Sequence, residues 1–174
     1  MSEAIAVDGH RPTGLSRAAA ARLIALLLPL ALLGGALGSQ YLGGLHPCEM
    51  CYWQRWPHGV AILLAMLAFT APADSSRSRS PTLLAAIAIA VSGAIGVYHA
   101  GVEAQIFEGF TQCTATGRGL SPAELLEQIS HAPLIRCDEV QFRFLGISMA
   151  GWNAILSLGG AALILTLTLR AKRA

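Results

Sequence analysis

The sequence predicts an all-α integral membrane protein, a four-helix bundle with a short amphipathic helix in its second outer loop. Composition is the first observation: of 174 residues, 54% are hydrophobic and only 13% charged, about half the charged share of an ordinary soluble domain. The second is distribution. The apolar residues fall in four blocks, near residues 22–41, 52–71, 82–102 and 145–169, each close to the ~20 residues a helix needs to cross a bilayer. The third is the spread of arginine and lysine, which alternates between the two sides those four spans would define. A net charge of +2 without a basic cluster interleaved with aromatics argues against nucleic acid as a partner. The partner that composition demands is the lipid bilayer.

Residues 1–16 are polar, carry Gly9, Pro12 and Gly14, and lack periodicity. They read as a mobile tail, and residues 17–170 as one transmembrane domain. The first apolar run, led by Arg17 and Arg22, resembles a signal peptide with a poor cleavage site at Ala36-Leu37-Gly38. It is long for such a segment, so a retained first helix is expected. Gly34 and Gly38 form a Gly-x-x-x-Gly step that would admit a neighbouring helix. The first outer loop, 42–51, carries Cys48 and Cys51. The second span works only if Tyr52, Trp53 and Trp56 lie at the membrane interface, where aromatics concentrate. A polar turn at 72–81 precedes the third helix, whose Ser92, Gly96 and Ala100 suggest a second close-packing seam.

The second outer loop, 103–144, holds Ser121-Pro122-Ala123-Glu124, a capping-box pattern. Leu125, Leu126 and Ile129 follow on one side, as in a helix lying on the membrane surface. With four spans the termini share a side. That side and the 72–81 turn hold Arg11, Arg17, Arg22, Arg77, Arg79, Arg170, Lys172 and Arg173. The other side holds Arg55, Arg118, Arg136 and Arg143 with seven of the ten acids. Positive-inside then places the termini in the cytoplasm and all four cysteines in the opposite compartment, the oxidising periplasm of a bacterium.

The stretch Pro47-Cys48-Glu49-Met50-Cys51-Tyr52-Trp53-Gln54-Arg55 carries the chemistry. A Cys-x-x-Cys pair suits redox cycling because the partner thiol is at hand to resolve a mixed disulfide. Arg55 follows Cys51 by four residues, one helical turn, and a fixed positive charge beside sulfur favours thiolate. Pro57 weakens that geometry if it marks the first helical turn. A structural zinc site would want a second close cysteine or histidine pair. Cys113 and Cys137 are too far apart to supply one, so no metal is expected. Four cysteines on an oxidising side make two disulfides the expectation. Cys48–Cys51 would close a ring too small to add much loop-closure entropy. Cys113–Cys137 would close a long loop, either a staple or, given the surrounding Thr114, Thr116, Gly117 and Gly119, a bond made to be attacked. No haem or flavin fingerprint is present. A lipid-soluble quinone is the acceptor that needs only an apolar groove and a polar group for its carbonyl. Arg55 fits that role, against the alternative of an interfacial arginine on lipid phosphate.

These features resemble the DsbB family, quinone-dependent oxidases of the periplasmic thiol oxidase DsbA. The resemblance covers residues 17–170 and rests on Pro-Cys-x-x-Cys-x-x-Gln-Arg at the first outer loop with a separated cysteine pair in the second. It implies a protein-disulfide:quinone oxidoreductase of the bacterial inner membrane, with a DsbA-like partner and ubiquinone or menaquinone as acceptor. Cys51 would be the sulfur next to the quinone, Cys48 its partner, and Arg55 the quinone-polarising residue. Cys113 would exchange with the DsbA-like dithiol and Cys137 would be its disulfide partner. His99 resembles a position near the family's quinone pocket, and equally reads as an interfacial histidine paired with Glu103. Three rivals stand beside this reading. One is a DsbB-like paralogue dedicated to another thiol partner. Another is a non-enzymatic scaffold with two structural disulfides. The last is a metal or haem carrier using His46, His58 and His99, which lack mutual helical spacing. Asn153 and Trp152 read as a helix–helix hydrogen bond and an interface anchor.

Overall fold

The computed structural model describes residues 15–109, 121–123 and 136–171. Four helices account for most of them: α1 (Arg17–Tyr41), α2 (Glu49–Ala68), α3 (Ser76–Glu103) and α4 (Met149–Ala171). The expectation of helix is met, and α1, α3 and α4 are each long and apolar enough to cross a membrane. The remainder of the 103–144 loop, including Cys113 and the expected amphipathic helix past Ala123, lies outside the described residues.

Caps set where the helices begin. Ser16 accepts the Ala19 amide proton at 3.2 Å, so α1 starts five residues ahead of the apolar run. Ser75 does the same for Ser78 at 3.3 Å. That draws residues 76–81, expected as a polar turn, into the first turns of α3, where Pro81 is accommodated. Polarity misled there because serine and arginine tolerate an exposed helical turn as readily as a loop. At α2 the cap is Cys48 itself, whose sulfur accepts from the Cys51 amide at 3.4 Å. The helix therefore begins at Glu49 and runs through Pro57. Cys51 and Arg55 share one continuous helix, and the concern that Pro57 marks its first turn does not hold.

The fourth helix starts later than its apolar pattern suggests, at Met149 rather than near 145. Residues 143–148 form a minimal hairpin, β1 (Arg143–Phe144) against β2 (Ile147–Ser148), antiparallel with Arg143 opposite Ser148 and Phe144 opposite Ile147. Leu145 and Gly146 both take positive φ, 51° and 80°, the signature of a tight two-residue hairpin turn. Among the described residues this small ladder is the departure from an all-α chain.

In the packing, α1 and α3 each lie against both α2 and α4 and scarcely meet one another. The core is built of small residues, Ala21, Ala25, Ala61, Ala65, Ala85, Ala86 and Ala161, with Ile89 and Ile164 between them. Small side chains let helix backbones approach closely, which is the packing mode of helices in lipid. The seam on α3 is real at Gly96: a Cβ there would lie 3.0 Å from the Ala150 carbonyl oxygen and 3.1 Å from the Ala154 nitrogen of α4. The Gly34/Gly38 step on α1 is not a seam, since nothing lies within 4 Å of a Cβ built at either glycine. The buried residues of α1 are Ala21, Ala25 and Pro29, so its first half makes the close contacts. Its second half stands off and borders a cavity. Outward-facing leucines, isoleucines and valines cover all four helices, a surface suited to lipid rather than water.

Candidate active site

The start of α2 assembles the sulfur chemistry. Cys48 is the N-cap and only 5% exposed, while Cys51 sits one turn inside and half-buried. Their sulfurs lie 2.9 Å apart as free thiols. The contact splits the pair. The hydrogen bond between the two sulfurs, with burial, pushes the Cys48 thiol far up. The same bond pushes the Cys51 thiol down, assisted by a backbone contact with Cys48 and by the Arg55 charge. The contact therefore favours thiolate on Cys51, near the electropositive end of a helix. The sequence pointed to Arg55 as the cause; the neighbouring sulfur is the larger one.

Arg55 is half-buried and pinned to the end of α1. Its guanidinium donates to Gln40 Oε1 at 2.5 Å and to the Ala36 carbonyl at 3.2 Å, and stands over the Tyr52 ring, 5.2 Å from the centroid. His99, on α3, brings Nε2 to 3.5 Å from the Cys48 sulfur and 3.9 Å from Glu103 Oε1. Glu103 in turn accepts from the Ser148 hydroxyl, which also caps α4 by accepting the Gly151 amide proton at 3.1 Å. The expected pairing of His99 with Glu103 is present, and the same ring contacts a cysteine. Cys137 is buried and packs in one cluster with Cys48, Met50 and Val102. Its expected partner Cys113 falls in the undescribed part of the loop.

A cavity of about 580 Å³ opens beside the pair, bounded by all four helices, the loop before α2 and the segment before α4. Its walls are mostly apolar, and its polar contributors include Cys51, Arg55, His58 and Asn153. The size lies within the usual range for a small-molecule site.

Sequence reasoning read Asn153 as a helix–helix hydrogen bond, which it makes to Gln54, His58 and Ser92, but did not find the rest of the polar layer beneath the cysteines. Gln54, His58, Ser92 and Ser157 are buried, and Asn153 ties them together. The available signal was spacing: Cys51, Gln54, Arg55 and His58 fall at i, i+3, i+4 and i+7, a polar stripe on an otherwise apolar helix. Cys48, Cys51 and His99 present donor atoms within 4.8 Å of one another, near enough to share a soft metal ion. Gln54 Nε2, however, donates to His99 Nδ1 at 2.8 Å. The ring proton is thereby kept on Nε2, the atom that would have to ligate. Of the histidines grouped as a metal or haem set, only His58 and His99 join this layer, and Gln54 and Asn153 intervene between them.

A family profile described as Disulfide bond formation protein DsbB matches residues 18–167. A Disulfide bond formation protein B from Methylococcus capsulatus is 32% identical over 147 residues, covering 79% of this chain and 85% of that protein. One from Xanthomonas oryzae pv. oryzae is 26% identical over 156 residues, covering 87% and 90%. An uncharacterized protein of Rickettsia prowazekii is 25% identical over 139 residues, covering 78% and 79%. No solved structure matches the chain.

Proposed function

The chain belongs to the DsbB family of disulfide bond formation proteins, and we propose that it reoxidises a periplasmic DsbA-like thiol oxidase and passes the electrons through two disulfides to a membrane quinone. All four helices cross the bacterial inner membrane in this reading. For α2 the exposed Tyr52, Trp53 and Trp56 supply the interfacial belt. The termini are cytoplasmic and the cysteines periplasmic, following the arginine and lysine bias.

One observation carries the proposal. The Cys48–Cys51 pair meets two surroundings at once: it packs with Cys137, where Cys48 is one of the buried members of the cluster, and it borders the apolar cavity, where Arg55 stands one turn beyond Cys51. A relay needs a sulfur that meets the incoming thiol and another that meets the acceptor. The residues fit a quinone: an apolar slot, a thiolate at its wall, and a guanidinium held for a carbonyl oxygen.

Electrons and protons balance along the chain. The partner's two thiols open Cys113–Cys137, so the partner becomes a disulfide and these two cysteines become thiols. The Cys137 thiolate then attacks Cys48 in the closed Cys48–Cys51 bond, and Cys51 leaves as thiolate beside Arg55 at the helix start. Attack of Cys113 on Cys137 restores the first disulfide, and the departing Cys48 sulfur takes up a proton beside His99. The quinone supplies the oxidising power, accepting two electrons and two protons as Cys48–Cys51 closes again.

The test is anaerobic: purified protein, ubiquinone and a reduced DsbA-type dithiol, with quinone absorbance followed over time. Quinone loss that requires both Cys48 and Cys51 and weakens in Arg55→Ala supports the reading. Unchanged quinone with several dithiol donors, and both disulfides intact throughout, would overturn it in favour of a scaffold with structural disulfides.

A further inference from the structure

The reduced cysteine pair stands among the ligands of a metal site, and one neighbour works against it. Cys48, Cys51 and His99 bring their donor atoms within 4.8 Å of one another, and all three line the same cavity. The Glu103 carboxylate, 3.9 Å from His99 Nε2, borders that cavity too. Two thiols, an imidazole and a carboxylate form a donor set suited to zinc and to softer divalent ions. The sulfurs, 2.9 Å apart, would part to about 3.8 Å in a tetrahedral site, a small adjustment at a helix start. An ion held there would stop disulfide closure and thiol exchange alike, because it occupies the sulfur lone pairs that both reactions use.

The obstacle to such an ion is on the far side of the imidazole. A histidine that binds metal through Nε2 carries its proton on Nδ1 and almost always donates it to a carboxylate, a backbone carbonyl or water. Here Nδ1 meets the opposite kind of group. Gln54 Nε2 donates to Met50 O at 3.1 Å and contacts His99 Nδ1 at 2.8 Å. A carbonyl oxygen only accepts, so this end of the amide is the NH2 group. The other end, Oε1, receives Asn153 Nδ2 at 2.8 Å. The side chain is buried and held at both ends, so turning its oxygen toward the ring would break both contacts. A bare Nε2 would require a proton on Nδ1, aimed into an NH2 group.

We propose that Gln54 is a selectivity residue: by holding His99 as the Nε2–H tautomer, it denies the reduced Cys48–Cys51 pair a third ligand and keeps zinc and softer divalent ions out of the redox site. The inference does not depend on which acceptor reoxidises the pair. The N–H so fixed has the Cys48 sulfur at 3.5 Å and Glu103 Oε1 at 3.9 Å. The groups that would complete a metal shell therefore share a hydrogen instead. One atom decides between the two outcomes. An oxygen in place of the amide nitrogen at position 54 would accept the Nδ1 proton, leave Nε2 bare and place negative charge behind the ring, as around zinc-binding histidines.

The experiment measures metal affinity, with no quinone present. Full-length protein in detergent, reduced and freed of metal, is titrated with cadmium against a competing chelator, and the ultraviolet absorbance of the sulfur–cadmium bonds is followed. The native protein should bind as a plain dithiol, so His99→Phe should change its affinity by no more than about twofold, far less than loss of a true ligand's support. Gln54→Glu should tighten binding about 100-fold, and Gln54→Met, which only removes the NH2 group, about 10-fold, the range that partners of metal-binding histidines command. Gln54→Met sets no carboxylate against the Met50 carbonyl, so the outcome does not hang on the folding of one variant. Adding His99→Phe to Gln54→Glu should cancel the gain, which separates ligation by the ring from the effect of added charge. Native affinity equal to that of Gln54→Glu would overturn the inference. So would a gain that survives His99→Phe, or no gain in Gln54→Met protein with native helical circular dichroism.

Discussion

Nε2 of His99 lies 3.5 Å from the sulfur of Cys48, and Gln54 obliges that nitrogen to be the protonated one. His99 therefore meets Cys48 as a hydrogen-bond donor, a role that gains strength when the sulfur carries charge. Hydrogen bonds to charged groups contribute about 1.5–3 kcal/mol. His99→Phe should accordingly slow release of Cys48 from its mixed disulfide by ~10- to 100-fold, read by rapid acid quench and gel separation of the trapped species. Glu103→Gln, which acts on the same ring from 3.9 Å, should give a smaller effect. Unaltered release in His99→Phe would show the contact to be packing alone.

The split between the two thiols predicts a pH signature. Cys51 is held below the ordinary thiol range chiefly by the hydrogen bond from Cys48. In the reduced protein it should therefore remain thiolate, and be alkylated rapidly, at pH values where a free cysteine is already protonated. That charge favours the reduced state above the depressed Cys51 pKa, and the advantage disappears as pH falls through it. Cys48→Ala removes the donor and should move the onset of Cys51 alkylation upward. Cys48, pushed in the opposite direction, should resist alkylation across the same range. The check is a pH series of maleimide labelling with peptide-level readout, and an unmoved onset in Cys48→Ala would place the cause elsewhere.

Much of this was legible in the chain and some was not, for physical reasons. Helix existence follows from apolar blocks of membrane length. Cys48, Cys51 and Arg55 could be placed together because their spacing is local, and His99 could be paired with Glu103 because they are one turn apart. The polar layer joins residues remote in sequence: Gln54 and Asn153 are 99 positions apart, and Gln54 and Ser92 are 38 apart. No periodicity within one helix reveals such partners; it shows only that a polar group faces inward. Leu145-Gly146-Ile147 read as the start of an apolar helix because hydropathy does not register the positive φ that turns the chain there. The Gly34/Gly38 step failed for the converse reason: small residues permit close approach, but only a neighbour that comes near makes it.

Arg55 is anchored as well as charged, so charge and geometry are separable. Arg55→Lys keeps the charge but replaces a forked group holding Gln40 and the Ala36 carbonyl with a single flexible ammonium. It should retain a lowered Cys51 thiolate threshold while weakening quinone affinity about 10-fold, because the positive group is no longer held against the cavity wall. Arg55→Met should lose both. Equal quinone affinity in Arg55→Lys and the native protein, by equilibrium titration, would mean that charge alone suffices.

Asn153 joins three helices, and removing it isolates what the polar layer contributes to stability. It donates to Gln54 and Ser92 and accepts from His58 and Ser157. Asn153→Leu strips a buried partner from each. Replacing both ends of one bond can be neutral, but leaving several polar groups unsatisfied costs about 1–3 kcal/mol for each that finds no alternative. Interhelical hydrogen bonds in membranes often re-pair, and single contacts there average well under 1 kcal/mol. The two scales meet at an expected loss of roughly 2–4 kcal/mol, read from denaturant-driven unfolding in mixed micelles. Gly160→Val gives a comparison away from the polar layer, since its side chain would run into Leu28 of α1. The two variants should differ in one respect. Gly160→Val strains α1 against α4 but touches none of the polar layer, so the Gln54–His99 contact and the rate of Cys48 release are retained in the folded fraction. Asn153→Leu frees Gln54 to rotate and releases the His99 tautomer, so Cys48 release should slow even in the protein that remains folded. Equal release rates in the two folded fractions would show that the layer stabilises the fold without directing the proton.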